Sequence, residues 1–400
     1  MCLARPRKAV TPSEVAAATS LGMTTPKGWS RRETPHKGNI MESSNVEQWK
    51  HEITAAAGAI PGTGQIVLME ICGTHTVAIR RSGLRALLPK RVRLVSGPGC
   101  PVCVTSQGVI DALVDMAGRD GVTVATFGDM LNVPGSESSL ARCRAEGAAV
   151  MVCYSPTLAF DHARAHPDQE TVFLAIGFES TIAPFAALIH RTVTEGVRNL
   201  SFLTAFKTVP PALRALRSDP EIRIDAFLCP AHVSAIIGSE AYEPFAGPRG
   251  VPCVIAGFEP LDILLGLQGI LEQIVRGEAR VEYQYSRVVR PGGNPRALAL
   301  MEKYLEPVDA RWRGLGLLPR SGLGLRPAYA AHDAEKRYGI AVMPGREQPG
   351  CLCGEVIKGK RKPTGCPLFG QACNPDHPIG PCMVSAEGTC SAYFKYLRAG

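Results

Sequence analysis

The chain has 400 residues, 45% of them hydrophobic and 20% charged, which is enough apolar material for a substantial core and more length than one domain usually takes. No apolar run approaches the roughly 18 to 20 residues that a membrane-spanning helix needs, and residues 1–40 lack the apolar block of a secretory signal, so a cytoplasmic protein with no membrane partner is expected. The net charge of +8 is concentrated at one end: residues 1–40 carry +5, from Arg5, Arg7, Lys8, Lys27, Arg31, Arg32 and Lys37 against Glu14 and Glu33, and no basic stripe interleaved with aromatics follows, so nucleic acid is not an expected partner.

That basic tail, studded with Ser, Thr and Pro and without hydrophobic periodicity, reads as disordered. Met41 then opens a helix leading into the first strand and is an alternative start. From residue 65 to about 265 one unit repeats: an apolar run of strand length, a loop rich in Gly, Pro, Cys or His, and a helical stretch. The runs are Gln65 to Ile71, Val92 to Val95, Val122 to Phe127, Ala148 to Tyr154, Val172 to Ile176, Leu200 to Ala205, Ala226 to Leu228 and Val254 to Ala256. Strands so continuously apolar belong in parallel sheets buried on both faces, which makes the fold α/β.

The loops after these strands hold the chemistry. The first is Glu70-Ile71-Cys72-Gly73-Thr74-His75-Thr76 and the second Gly97-Pro98-Gly99-Cys100-Pro101-Val102-Cys103-Val104-Thr105. A Cys-x-x-Cys at a strand-to-helix turn lets two sulfurs face one point, where they bind a metal or cycle with a disulfide; two inert buried cysteines are the plainer alternative. His75 is a ligand, a base or a merely hydrogen-bonded loop histidine. Asp129, in Phe127-Gly128-Asp129-Met130, is most simply a helix N-cap. His232, in Cys229-Pro230-Ala231-His232-Val233, stands in the same relation to its strand as His75 does. Cys2, Cys143, Cys153, Cys229 and Cys253 read as tail or small apolar residues. A short internal echo, Gly177-Phe178-Glu179 with Gly257-Phe258-Glu259 and the Cys100 and Cys229 motifs with each other, suggests two related lobes facing a shared cleft, with these loops at the carboxyl ends of the strands forming it.

After about residue 285 the pattern changes. Asn294 to Tyr304 reads as a helix, Arg311 to Arg326 is rich in Gly, Leu and Arg, and residues 344–382 contain seven prolines, which rule out long regular elements there. The chain therefore divides into a tail (1–40), a first lobe (41–170), a second lobe (171–285) and a C-terminal domain (286–400). Six of the fourteen cysteines, Cys351, Cys353, Cys366, Cys373, Cys382 and Cys390, fall in the last 50 residues. Intracellular disulfides are rare, so such thiols usually bind metal or do redox chemistry. Structural zinc prefers two close Cys pairs, absent here, whereas an iron-sulfur cluster takes four thiolates at irregular spacing; zinc, cluster and unmetallated thiols all remain open on spacing alone.

Taken together, Cys72-Gly73-Thr74-His75-Thr76, Gly97 to Cys103, Phe127-Gly128-Asp129-Met130 with Val133-Pro134-Gly135, Pro230-Ala231-His232-Val233 and the run from Cys351-Leu352-Cys353-Gly354 to Glu387-Gly388-Thr389-Cys390 resemble the HypD family of nickel-iron hydrogenase maturation proteins over residues 41–400. The resemblance implies two Rossmann-like parallel-sheet lobes and a C-terminal, loop-rich 4Fe-4S domain. It implies a scaffold that holds one iron with a small HypC-type chaperone while two cyanides, delivered by a HypE-type partner, and a carbon monoxide are attached. By position Cys72 would share the iron, with Cys100 and Cys103 as nearby ligands or redox thiols and His75, Asp129 and His232 lining the cleft. Cys351, Cys366, Cys373 and Cys390 would bind the cluster, and Cys353 with Cys382 would form a dithiol beside it that passes electrons to Cys100 and Cys103. The competing expectations are a cluster-dependent dithiol/disulfide oxidoreductase and a zinc-stabilised binding module.

Overall fold

The computed structural model describes residues 43–396, so the tail expected over 1–40 lies outside the described residues. The helix expected near Met41 runs over Ser43–Ala59. All eight apolar runs are strands: β1 (Ile66–Glu70), β2 (Val92–Ser96), β3 (Val122–Phe127), β4 (Val150–Cys153), β5 (Glu170–Ala175), β6 (Leu200–Thr204), β7 (Ala226–Pro230) and β8 (Cys253–Ala256). A ninth, β9 (Val281–Tyr283), is too short and too half-buried to show as an apolar run. The strands form two parallel sheets, one of five strands in the order β2-β1-β7-β8-β9 and one of four in the order β4-β3-β5-β6.

Each sheet is covered on both faces, as parallel strands require because their crossover helices lie on the faces. Along β1 the side chains alternate: Ile66 and Leu68 pack with the outer helices Ser43–Ala59 and Pro260–Arg276, and Val67 and Met69 point the other way. That second direction is a core shared by both sheets, which takes in Met69 and Val95 from one, Val124, Val172 and Leu203 from the other, and the buried face of the helix Gln107–Ala117. The far face of the second sheet, with Phe173, Phe202 and Ala125, is closed by the helices Glu179–Thr194 and Pro295–Tyr304.

The strands of the two sheets interleave along the chain. A contiguous partition at residue 170 puts β3 and β4 with β1 and β2, whereas β1 pairs with β7 and β3 with β5. Every strand-loop-helix unit looks alike in sequence, and only tertiary packing selects its neighbours. The last segment is also not set apart. Its first helix, Pro295–Tyr304, is capped by Asn294, whose side chain accepts from the amides of Arg296 and Ala297. There follows an antiparallel hairpin, β10 (Leu305–Trp312) and β11 (Gly316–Leu325), where the Gly-rich sequence hid a pair of strands. Trp312 is buried, its indole N–H donates to Ser321 Oγ (2.8 Å), and the amide of Arg313 donates to Val104 O (2.9 Å), fastening the hairpin turn to the Cys100 loop. From residue 344 on the backbone is loop with short helices, the longest being Thr389–Tyr396, as the prolines dictate. Among the described residues no helix is long and apolar enough to cross a membrane.

Candidate metal centre

In an open parallel sheet the crevice for ligands lies beyond the carboxyl ends of the strands where the order reverses. In the five-stranded sheet that point falls between β1 and β7, and the loops leaving those strands carry Cys72, His75 and His232. Cys72 is the N-cap of the helix Gly73–Arg81 and is partly exposed. Two close approaches hold its loop. Gly73 donates its amide to Gly99 O (2.9 Å), and a Cβ on Gly99 would run into the Cys72 backbone, so glycine is required there. Beneath the loop, the buried Glu70 carboxylate accepts from Thr76 Oγ1 (2.6 Å) and from the Cys72 amide (3.4 Å), and burial pushes its pKa up to about 7. Burial also pushes the Cys72 thiol up to about 12, with the Glu387 carboxylate acting in the same sense and the amides of His75 and Thr74 opposing it.

His75 is fully buried. Its Nε2 faces two carbonyl oxygens, Gly257 O (2.8 Å) and Ala256 O (3.2 Å), and since carbonyls only accept, Nε2 carries the proton. Burial lowers its pKa to about 4, which leaves the ring neutral at pH 7 with Nδ1 buried and without a partner. Phe258 packs against His75 (ring centroids 4.8 Å apart) and also against the exposed His232 (4.4 Å). His75 and His232 thus flank one aromatic ring at the carboxyl ends of β1 and β7.

Cys100 and Cys103 are joined in a disulfide, with Cα atoms 5.2 Å apart across the short helix Pro101–Val104. Both are buried. In that form neither sulfur is a free thiolate. Among the described residues no three His, Cys, Asp or Glu side chains gather into a site for a single ion.

The six C-terminal cysteines all line one cavity, closed by Leu352, Val356, Leu368, Phe369 and Met383. Gly380 lets it close, since a Cβ there would lie 2.7 Å from Cys351 Sγ. Cys353, Cys373 and Cys382 are buried and the other three half-buried. Backbone amides point at the sulfurs: Ile379 N–H at Cys373 Sγ (3.4 Å) and Cys390 N–H at Cys382 Sγ (3.2 Å). A closed apolar cavity with many sulfurs and N–H donors to them fits a thiolate-bound iron-sulfur cluster, and six donors exceed what tetrahedral zinc uses. Cys353 and Cys382 are neighbours, as a dithiol requires, and each also adjoins an expected cluster cysteine, Cys351 and Cys390 respectively. The proton affinity of Cys351 is pushed up first by the adjacent Cys353 thiol and then by burial, while the buried Arg313 guanidinium pulls the other way, as it does at Cys353.

A second, smaller crevice connects the two regions. It is lined by Gly73, Thr76, Gly97 to Cys100 and Cys103 from one side, and by Ile357, Cys382, Glu387 and Thr389 from the other. Cys382 thus lines both cavities. The stretch after it is pinned across the cleft: Ser385 Oγ (2.9 Å) and the Ala386 amide (3.3 Å) donate to Asp129 Oδ2, and Thr74 Oγ1 donates to Glu387 Oε1 (2.8 Å). Asp129 is therefore not the expected N-cap. It lies inside the helix Gly128–Leu131, whose cap position is Phe127, and its carboxylate is taken by the C-terminal segment. The roomier surface clefts, beside Ala117–Thr123 and beside Val150–Val152, contain none of these groups.

The family model described as HypD, hydrogenase formation hypA family, matches residues 44–397. The chain belongs to the HypD family. It is 47% identical over 341 residues to the hydrogenase maturation factor HypD of Azotobacter vinelandii, covering 84% of this chain and 90% of that protein. It is 43% identical over 352 residues to the Rhodobacter capsulatus factor of the same name (86% and 93% covered) and 43% identical over 332 residues to that of Escherichia coli (83% and 89%).

In this HypD chain the fold brings the turns carrying Cys72, His75 and His232 to the adjoining ends of β1 and β7, gathers the six C-terminal thiols in one cavity and places Cys382 and the Cys100–Cys103 disulfide on one crevice. Glu70, Glu387 and Arg313 escaped the sequence reading. The first two sit inside quoted motifs, where an acidic residue beside a cysteine was the available signal. Arg313 lies in a stretch with no motif at all. Cys153, Cys229 and Cys253 are buried in strands, as small apolar residues would be.

Proposed function

We propose that this chain is a hydrogenase maturation factor on which a single iron, the cargo, is held while two cyanides and a carbon monoxide are attached. Cys72 supplies one soft thiolate to that iron and a cysteine of a small HypC-type chaperone supplies another, which suits a low-spin metal carrying such ligands. Cyanide comes from a HypE-type partner. Neutral His75, with its bare Nδ1, is buried behind the Cys72 turn, and exposed His232 packs on the same Phe258 ring. Cys351, Cys366, Cys373 and Cys390 would hold a 4Fe-4S cluster, leaving Cys353 and Cys382 as a working dithiol.

The observation that carries this reading is the crevice that Cys382 lines together with Cys100 and Cys103, beside the Cys72 loop. As a thiolate, Cys382 attacks one sulfur of that disulfide. Cys353, its neighbour, then attacks Cys382 in the mixed disulfide, so that Cys100 and Cys103 leave as a dithiol and Cys353 and Cys382 become the disulfide. Two electrons and two protons pass from one pair to the other. A bound cluster would supply single electrons that return Cys353 and Cys382 to the dithiol. The burial of Cys100 and Cys103 argues against exchange with a disulfide on another protein, the protein-substrate form of the oxidoreductase alternative.

The test is Cys72→Ser, which keeps the size but replaces a soft sulfur by a hard, mostly protonated oxygen. The variant should purify without oxygen with its cluster intact. Its chaperone complex should lack the cyanide and carbonyl infrared bands, and hydrogenase should stay immature. Both sets of bands at full intensity would remove Cys72 from the assembly site.

A further inference from the structure

Arg313 is 3% exposed, and its surroundings leave its charge unbalanced. Nη2 donates to the neutral Gln107 Oε1 (3.0 Å), Nε is buried without a partner, and the nearest carboxylate, Glu347, stands 3.9 Å from Nη1 on a side chain that is 54% exposed. A buried cation of this kind is costly unless an anion close by compensates it. The hairpin turn that carries it is held on both sides. Its amide is bonded to Val104 O, one residue past Cys103, and a Cβ on the next residue, Gly314, would strike the backbone of Gly354 at 2.7 Å, one residue past Cys353. Gln107 is itself anchored, donating to Pro134 O (2.7 Å). The guanidinium is thus fixed between the Cys100–Cys103 loop and the Cys351-Leu352-Cys353 turn.

We propose that Arg313 is the counter-cation of the C-terminal cysteine centre, a positioning residue that raises the reduction potential of the cluster held there. The proposal rests on the cluster reading above. An iron-sulfur centre bound by thiolates is anionic and gains another negative charge on reduction, so a fixed neighbouring cation favours the reduced form. Burial strengthens the effect, because little water intervenes to screen it. The observed contacts supply the rigidity: Gln107 and Val104 hold the side chain and backbone of Arg313 whatever the state of the thiols.

The experiment is a redox titration, followed by electron paramagnetic resonance, of the full chain purified without oxygen, as wild type, Arg313→Met, Arg313→Lys and Gln107→Leu. Arg313→Met should keep its iron and shift the midpoint potential to more negative values. Arg313→Lys should keep the potential close to that of wild type, and Gln107→Leu, which removes a hydrogen bond but no charge, should change it least. If Arg313→Met does not accumulate in folded form, Arg313→Gln, which keeps an amide donor for Gln107, should show the same negative shift. An unchanged potential in a neutral variant with full iron content overturns the role of Arg313 and leaves the cluster reading standing. A wild-type chain with no iron-sulfur signal overturns both.

Discussion

Cys382 lines both the six-thiol cavity and the crevice at the Cys100–Cys103 loop, a position that its five neighbours do not share. If Cys351, Cys366, Cys373 and Cys390 are the ligands, removing one leaves an iron without its protein donor, whereas removing Cys353 or Cys382 takes away only the dithiol. Cys366→Ala and Cys373→Ala should therefore lose most of their iron and visible absorbance, and Cys353→Ala and Cys382→Ala should keep both; equal loss in all four would refute the division. At this scale the sequence exposed the residues whose chemistry is conspicuous, the cysteines and histidines in their short loops. It did not expose Arg313, because a single arginine among Gly and Leu resembles any surface cation, and its burial depends on a hairpin turn pressed against two other loops. Nor did it reveal the role of Asp129, whose partners Ser385 and Ala386 lie more than 250 residues away.

Helix ends show the same division among elements. Both copies of Gly-Phe-Glu end a strand and begin a helix, as the internal echo implied: Glu179 is the first residue of Glu179–Thr194 and Glu259 is the N-cap of Pro260–Arg276. The buried Glu179 has a further task. Thr208 makes no side-chain bond at the start of the helix Val209–Ser218, and Glu179 Oε1 accepts from the Val209 amide (2.9 Å) instead. Its other oxygen is buried without a partner, and burial raises its pKa to about 7. An acid whose folded pKa lies above its unfolded value contributes stability below the unfolded pKa, near 4.5, and loses it as pH rises through about 7. Glu179→Gln keeps an acceptor for Val209 and removes the titration. It should match wild type near pH 4.5 and exceed it at pH 8, by roughly 3 kcal/mol at most, the equivalent of the full shift. Chemical denaturation at the two pH values measures this, and an equal difference at both would show that Glu179 does not titrate in this range. The hairpin β10–β11, like β9, did not show in the sequence: its glycines and arginines carry no alternating pattern because much of the hairpin is exposed.

Over the whole molecule, the interleaving of the two sheets predicts how the chain can be cut. A fragment of residues 41–170 contains β1 without β7, and 171–285 contains β5 without β3, so each lacks a central strand pairing and one side of the shared core. Expressed alone, neither should show a cooperative thermal transition by circular dichroism; a cooperative melt of 41–170 alone would mean that its strands re-pair into a stable sheet. The sequence by itself determined the eight apolar strands, their parallel, doubly covered character, the loop-rich C-terminal segment and the cysteine and histidine motifs, because each follows from local residue type and spacing. Only the tertiary structure decided which strands are neighbours, that the Cys72 and His232 loops meet at the reversal between β1 and β7, and that Cys382 stands between the six-thiol cavity and the Cys100–Cys103 disulfide. The β1–β7 pairing joins residues 158 positions apart and the approach of Cys382 to Cys100 joins residues 282 apart, and such relations are set by how two sheets and an irregular segment share one core, which no local pattern encodes.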